Sequence, residues 1–575
     1  MNNTISVKNK YTRLFFTCMA VCCGLIWTFT NLGYDGEYQL AMCRRLLQGD
    51  KLFLEMWEPH QTSSFLPAFL MWIYISLLGT TTGIVVYLQA CGILIRGGIS
   101  LLLYRTLGRD LTENAAFGIA LLFFMISPKD YALPEFSNLQ LWFSTLLFCC
   151  LWTYLKTGRK YLLAVSALWL SLLVLAYPSC AIVLFGVILL LALYSPYKKR
   201  DILLVSGICA ILGTAAGGYF LCTVGPENLK ACLSGMLALE PTHTEGFFAR
   251  LSVYGSDLLI QGFLLAAAGV VVLPPLVIVR RKRGSRCSGL GIWLLAVCGV
   301  LLAGFFFNIL GARNRFAYSI ILLFAAGLGF LCRKNLNGRE KQIYFCGSVI
   351  GGLCFLATLM LSDLPLPVSV PYGLLLAGVS LIPIEKQASK SADTIIIRGL
   401  PLCYACFVLL LAFRCVYIRT PLSGKAQICP SVGSSMSLVR SGPALGLISN
   451  EDGVCIQRDS YPEWKKWIRP GDKVWIIGGV VDTLGYLYED VEIAGPSTIS
   501  TPYYSEAVLS YWKLNPDKYS DVIVAEGYLG TLSHELQTNQ WLMDWLAQEY
   551  RPAQIIEGKF WNYYFKTSRE TEDGQ

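Results

Sequence analysis

Charge is scarce in this chain of 575 residues: Asp, Glu, Lys and Arg together supply 15% of it, where a soluble globular protein carries about a quarter. That shortage excludes an ordinary water-soluble enzyme. With 54% hydrophobic residues, it also excludes a disordered chain, which needs few apolar and many charged residues. Histidine occurs three times, as His60, His243 and His534. The 21 cysteines do not form the two Cys-x-x-Cys pairs of a zinc site. Most lie before residue 421, many inside apolar runs (Cys22, Cys23, Cys149, Cys354), where a thiol packs as a small apolar side chain. Only Cys429 and Cys455 fall later, where a disulfide between them is open. Repeats, heptads and low-complexity tracts are absent too. What is present is a series of apolar runs between Leu14 and Tyr417, each of roughly 20 residues and long enough to span a bilayer.

The charges divide the chain in two. Residues 421–575 carry a net charge of −7 and residues 1–420 a net charge of +16. A basic total can mark a nucleic-acid binder, but here the excess sits in short loops between apolar runs, where it sets orientation. We therefore expect no nucleic-acid partner. Lys8, Lys10 and Arg13 precede the first run, at about 14–33. No small-residue cleavage site follows, so a retained helix with a cytoplasmic N-terminus is expected. Further clusters fall at Arg105/Arg109, Lys156–Lys160, Lys198–Arg200, Arg280–Arg286, Arg333–Lys341 and Lys386–Arg398, each expected on the cytoplasmic side. Pairs of spans separate them, giving about 13 transmembrane helices in residues 1–420. The apolar segment 65–80 breaks the alternation if it crosses, and is read as a helix on or dipping into the outer face. From Ala444 onward, short β-branched runs such as Lys473–Ile477 and Asp521–Ala525 alternate with amphipathic stretches, as in a soluble α/β unit. The fold class expected is a polytopic α-helical membrane protein with a small extracytoplasmic α/β domain over 421–575. That domain shows no Gly-x-Gly-x-x-Gly, P-loop or Ser/His/Asp set, and reads as a cap or acceptor-recognition element.

Polar residues concentrate in the outer loops. The first holds Asp35 and Glu37 directly after the first span, then Arg44-Arg45 and Trp57-Glu58-Pro59-His60. A carboxylate there stands at the lipid–water boundary, level with the phosphate of a lipid-linked substrate; ionisable residues so placed tend to be functional. The same residues suit the first turn of a surface helix, whose positive end favours acidic side chains. A second loop offers Asp130 and Glu135, and Arg313 and Arg315 open a later span from outside. Arginine at that level binds phosphate through charge-assisted, often bidentate hydrogen bonds. Arg96 lies inside a span and must pair or reach an interface.

The string from Asp35 to Trp72 resembles the first outer loop of the GT-C superfamily of membrane glycosyltransferases, in the branch of the protein O-mannosyltransferases and lipid A aminoarabinose transferases. Asp35 and Glu37 match its acidic motif, Arg45-Leu46-Leu47-Gln48-Gly49 its middle, and Met56-Trp57-Glu58-Pro59 its end. Three features depart from the pattern. Gly36 separates the carboxylates, Pro59-His60-Gln61 replaces a lysine-containing end, and Arg315-Phe316 lacks a downstream proline.

The resemblance implies inverting transfer of a sugar from a polyprenyl-phosphate donor to an acceptor hydroxyl on the outer face. Asp35 or Glu37 would act as base with Asp130 as a further catalytic carboxylate. Arg44, Arg45, Glu58, His60, Glu135, Arg313 and Arg315 would bind substrate. Partners would be the donor, membrane lipids and an envelope glycan, lipid or protein acceptor. An outside tail with no organelle retention signal or outer-loop Asn-x-Ser/Thr acceptor in view makes a bacterial plasma membrane the expected setting. No cofactor is called for, although carboxylates from two loops could hold a divalent cation through their oxygens. A polymerase or ligase moving whole oligosaccharides fits the same features. A non-enzymatic transporter or flippase would need inverted repeats and interrupted helices, which are not seen.

Overall fold

Long apolar runs become helices because a helix satisfies its own backbone where no water is available. The computed structural model describes residues 2–30, 32, 34–239, 250–256, 258–259, 318–361, 364, 366–390, 394–419, 436–450, 460–477, 480–488, 490–498, 506–528, 531–532 and 537–569. Helices α1 (Asn2–Phe29), α2 (Tyr34–Gln48), α3 (Phe65–Leu78), α4 (Ile84–Leu107), α5 (Glu113–Met125), α6 (Phe136–Thr157), α7 (Lys160–Ala176), α8 (Val183–Tyr194), α9 (Lys198–Val224) and α10 (Pro226–Leu239) follow one another. Helices Tyr318–Cys332, Gly338–Leu361, Leu381–Lys390 and Thr394–Arg419 come later. Among the described residues five helices are long and apolar enough to cross a membrane: Lys10–Phe29, Gln61–Leu78, Ile84–Leu107, Lys198–Val224 and Gly338–Met360. Spans expected at 256–279 and 288–310 lie almost wholly outside the described residues.

α6 is the centre of the bundle, with Leu139, Trp142, Leu147 and Leu151 buried against α4 and α7. Gly158, in the left-handed conformation (φ +68°), returns its amide to the Tyr154 carbonyl at 2.8 Å and turns the chain into α7. The buried Gln140 amide reaches across to Thr358 Oγ1 at 3.1 Å, the kind of interhelical bond that fixes register where packing alone is uniform.

Residues 436–569 form sheets. Strands β1 (Met436–Leu438) and β2 (Ile448–Asn450) make an antiparallel pair. Strands β3 (Lys473–Ile477), β4 (Glu492–Ile493), β5 (Val522–Tyr528), β6 (Thr531–Leu532), β7 (Gln554–Glu557) and β8 (Trp561–Phe565) make a mixed sheet in the order β4-β3-β5-β8-β7, with β6 beside β5. β3 runs parallel to β4 and β5, and β8 antiparallel to β5 and β7. The β3 run is buried along Val474–Ile477, as its unbroken apolar sequence requires. This sheet does not stand apart from the bundle. Val474, Ile476 and Trp464 share one buried cluster with Leu40 and Ala41 of α2, Met71 of α3, and Val85 and Leu88 of α4.

Segment 65–80 is helical over Phe65–Leu78, continuing a single 3-10 turn, Gln61–Ser64. Pro67, Ala68 and Met71 turn inward while Phe65, Phe69 and Trp72 form an exposed apolar stripe.

Candidate functional site

Three segments meet at the end of α1: the first turn of α2, the 3-10 turn Pro128–Asp130, and the start of α6. Asp35, half-buried, receives the Lys129 ammonium on Oδ2 at 2.6 Å. Lys129 adopts a left-handed backbone (φ +57°), uncommon outside glycine and a sign that the surrounding contacts over-determine the turn. Its Nζ also lies 4.8 Å from the centroid of the Phe136 ring. Burial works against the ammonium, but Asp35 beside it, with Tyr131 and Glu135, holds it above the usual lysine range. Glu135 is buried and caps α6, accepting from the Ser137 and Asn138 amides at 2.8 Å each. Burial pushes its carboxyl up to about 7, with Lys129 and the Ser137 amide opposing and Asp35 adding to the rise. His60 stacks flat on Phe136 (3.8 Å between centroids, 5° between planes), and Tyr177 stands 5.3 Å from the histidine.

The arrangement is held from behind. Gln39 Oε1 accepts from Ser63 Oγ at 2.9 Å and from the Phe136 amide at 3.2 Å, joining α2, the turn before α3 and α6. Ser127 Oγ bonds the Tyr131 carbonyl and Asn138 Oδ1, both at 2.8 Å. Arg96, fully buried in α4, donates to the Tyr131 carbonyl at 2.7 Å and lies 5.0 Å over the Trp27 ring, so it braces the second outer loop. Two glycines stand at close approaches in this packing. A Cβ on Gly92 would stand 1.9 Å from the Ala132 carbonyl oxygen, and one on Gly36 would stand 2.7 Å from Leu133 Cδ1. The glycine that interrupts the acidic pair is therefore where the second loop leans on α2.

The expected site residues separate into groups. Asp35 and Glu135 are brought together around Lys129, which the motif did not single out, and His60 stacks on the neighbouring Phe136 ring. Its one sequence signal is its place beside Asp130 in the second loop. Glu37 is buried, and at two residues from Asp35 in a helix it faces elsewhere. Asp130 closes the 3-10 turn through its backbone. Arg313, Arg315 and His243 lie outside the described residues.

Arg44, Arg45 and Glu58, expected to bind substrate, are placed by the structure in a junction with the sheet. Arg45 is fully buried. Its Nε donates to Asp50 Oδ2 at 2.7 Å, its Nη1 to the Gly495 and Pro496 carbonyls at 2.9 and 3.2 Å, and its Nη2 to Tyr511 Oη at 3.2 Å and to the Glu55 carbonyl. Glu58, also fully buried, sits 3.7 Å from Arg45 Nη1 and accepts from Ser497 Oγ at 2.7 Å and the Thr498 amide at 2.5 Å. Burial pushes the Glu58 carboxyl up while Arg45 and these donors oppose the rise. Arg44 pairs with Asp490, and Lys518 reaches Asp50 at 2.6 Å. Ser497-Thr498 and Asp472, at strand ends where an α/β sheet often binds ligands, are engaged here: the first pair with Glu58, and Asp472 with Arg569 at 2.6 and 2.7 Å. Among the described residues no three His, Cys, Asp or Glu side chains converge as a metal site would require.

Fold and site together define a helical bundle of membrane type with a carboxylate–lysine pair at one end and a mixed sheet docked on that same end. Among solved structures, the chain is similar to the Archaeoglobus fulgidus oligosaccharyltransferase AglB in complex with an inhibitory peptide and a dolichol-phosphate (12% identity over 96% of this chain and 74% of that one, TM-score 0.40). It is also similar to the Archaeoglobus fulgidus oligosaccharyltransferase complex with Zn and sulfate (11% identity, 92% and 70%, TM-score 0.43), and to ArnT from Cupriavidus metallidurans bound to undecaprenyl phosphate (12% identity, 96% and 98%, TM-score 0.37). No protein-family model matches the chain, and no curated protein does. At these identities and TM-scores the likenesses assign no activity to this chain.

Proposed function

We propose that the chain transfers a glycosyl group from a polyprenyl-phosphate carrier to an acceptor hydroxyl at the outer membrane face. The observation that carries this reading is the 2.6 Å pair of Asp35 and Lys129: Asp35, at the end of the first span, belongs to the motif that resembles the GT-C first loop, and Lys129 comes from the second outer loop. The two charges satisfy each other. A carrier phosphate arriving at Lys129 competes for its ammonium and leaves Asp35 free to act as base. Asp35 then takes the acceptor proton as the acceptor oxygen bonds to the anomeric carbon. The carbon–oxygen bond to phosphate breaks on the opposite face, and its electron pair stays on the phosphate, where Lys129 stabilises the growing charge. One displacement inverts the anomeric centre. A positioned base contributes about 10²–10⁴-fold. Dolichol-phosphate and undecaprenyl phosphate, present in two of the structures compared, belong to this carrier class.

The span count and orientation in this reading follow from loop charge. About 13 spans occupy residues 1–420 in a bacterial plasma membrane, with the N-terminus cytoplasmic. Residues 421–575 form an extracytoplasmic domain. Helix α3 stays on the outer face, since Ala68 and Met71 pack in the cluster that includes Trp464 and Val474 of the sheet region. Arg313 and Arg315 add positive charge for the phosphate.

Incubation of full-length protein with radiolabelled polyprenyl-phosphate sugars and an envelope extract tests the proposal. Asp35→Asn should remove transfer by about 10²-fold or more, and Lys129→Met should raise KM for the donor, with Lys129→Arg partly restoring it. Wild-type rates in Asp35→Asn would pass the base to Glu37 or Asp130. No transfer by the wild type across a donor panel would refute the enzyme.

A further inference from the structure

At the other end of α1 from Asp35 lies a cavity of about 400 Å³ that the proposed chemistry does not use. It runs between α1, α5 and the helices Tyr318–Cys332, Leu381–Lys390 and Thr394–Arg419. Its ends differ. Arg13, Asn114 and Glu385 line the end near the basic loops, whereas Leu122, Leu322 and Phe407 line the interior. Asn114 to Leu122 is eight residues of α5, so the apolar part reaches about 12 Å into the bundle at the rise of a helix.

Water does not fill an apolar cavity of this kind. In a membrane, an empty one forfeits dispersion contacts along its whole lining. A hydrocarbon chain restores them. The polar end carries both signs of charge. Arg13 pairs with Glu113 at 2.5 Å, but Glu113 is 61% exposed, so that pair is weakly held and open to competition. Lys10, exposed, lies one turn earlier on the same face of α1. Glu385 accepts from Thr112 Oγ1 at 2.8 Å, which leaves its other oxygen lone pairs available to a further donor.

We infer that this cavity binds a phospholipid of the leaflet opposite the Asp35 site, with one acyl chain between α5 and Thr394–Arg419, its phosphate on Arg13 and a primary ammonium headgroup on Glu385. A cation and a carboxylate on one rim match a phosphate and an ammonium on one headgroup. A purely anionic lipid would add negative charge to a rim that already holds Glu385 and Glu113. The inference does not depend on the glycosyl-transfer reading or on which side of the membrane is cytoplasmic.

The test uses full-length protein in phosphatidylcholine vesicles doped with phosphatidylethanolamine bearing a diazirine midway along one acyl chain. Adducts are mapped after illumination. Those on peptides containing Phe117–Leu122 or Tyr404–Phe407 are expected to exceed those on the exposed face of α9 (Leu203, Ile211), which serves as the reference for ordinary lipid contact. Ala405→Trp fills the cavity, and overpacking of about 1–3 kcal/mol should lower the ratio about ten-fold. Ala325→Phe, from the facing helix, does the same if the first variant does not fold. Glu385→Gln, or a choline headgroup on the probe, should lower the ratio about two- to five-fold. Cavity peptides labelled no more than α9, or a ratio unchanged by both filling variants, would overturn the site. Equal labelling by the choline probe would overturn the headgroup assignment.

Discussion

Replacing Arg45 with methionine separates two roles for the first outer loop. In the structure this guanidinium is fully buried and spends its donors on Asp50, Tyr511 and the carbonyls of Glu55, Gly495 and Pro496, with Glu58 at 3.7 Å. Lys518 still reaches Asp50 at 2.6 Å in the variant, so the stranded charge is chiefly Glu58. Breaking a buried pair by removing one partner costs about 3–5 kcal/mol. If that energy is drawn from docking of the sheet, the docked population falls between about a hundred-fold and a few thousand-fold. Two amides report docking directly: Trp57 N–H, bonded to the Pro496 carbonyl at 2.9 Å, and Thr498 N–H, bonded to Glu58. Hydrogen exchange at both should accelerate in Arg45→Met, and Arg45→Met/Glu58→Gln should recover part of the protection because no charge is then left stranded. Transfer should fall only in step with docking. Full amide protection with transfer lost would refute this reasoning and return Arg45 to the substrate.

Four further outcomes are expected. Gly92→Ala drives a Cβ to 1.9 Å from the Ala132 carbonyl, so the second loop must move at a cost of about 1–3 kcal/mol and Lys129 leaves Asp35. Gly36→Ala meets only the mobile ends of Leu32 and Leu133 and should transfer near wild-type rates in the same assay. For Glu135, whose carboxyl is pushed up to about 7, the acid form dominates below that pH and the anion above it. The anion near Lys129 repels a carrier phosphate, so KM for the donor should rise with pH through 7, and Glu135→Gln should flatten that rise. Gly235→Val places a side chain where a Cβ alone would stand 2.1 Å from the Trp57 ring. It should lift α10 from the junction, read as maleimide labelling of Cys232, which is otherwise fully buried.

Much of the local structure was legible because its signals are local. Lys473–Ile477 reads as a strand from five residues and forms β3. The acidic first turn at Asp35 and Glu37 opens α2. The second outer loop meets the first where Lys129 pairs with Asp35. Its contribution was misjudged: the acidic residues drew the argument, and the partner of Asp35 is Lys129, whose left-handed turn depends on Arg96, Asn138 and Gly92 behind it. Arg45 and Glu58 were read as substrate ligands for a related reason. Charged residues at a membrane surface look functional when their partners are unknown, and the partners these two find in the sheet region, Gly495 to Thr498 and Tyr511, lie more than 400 residues later in the chain.

The sequence by itself determined the membrane character, the basic loops, the strands after residue 444 and the position of the first carboxylates, since each follows from composition or short-range periodicity. Only the tertiary structure decided which charges meet. Pairing of Asp35 with Lys129, burial of Arg45 against the sheet, and the cavity at Arg13 and Glu385 all arise between segments far apart in the chain. Whether a charge is spent on folding or left for chemistry depends on its three-dimensional neighbours, and local pattern carries no record of them.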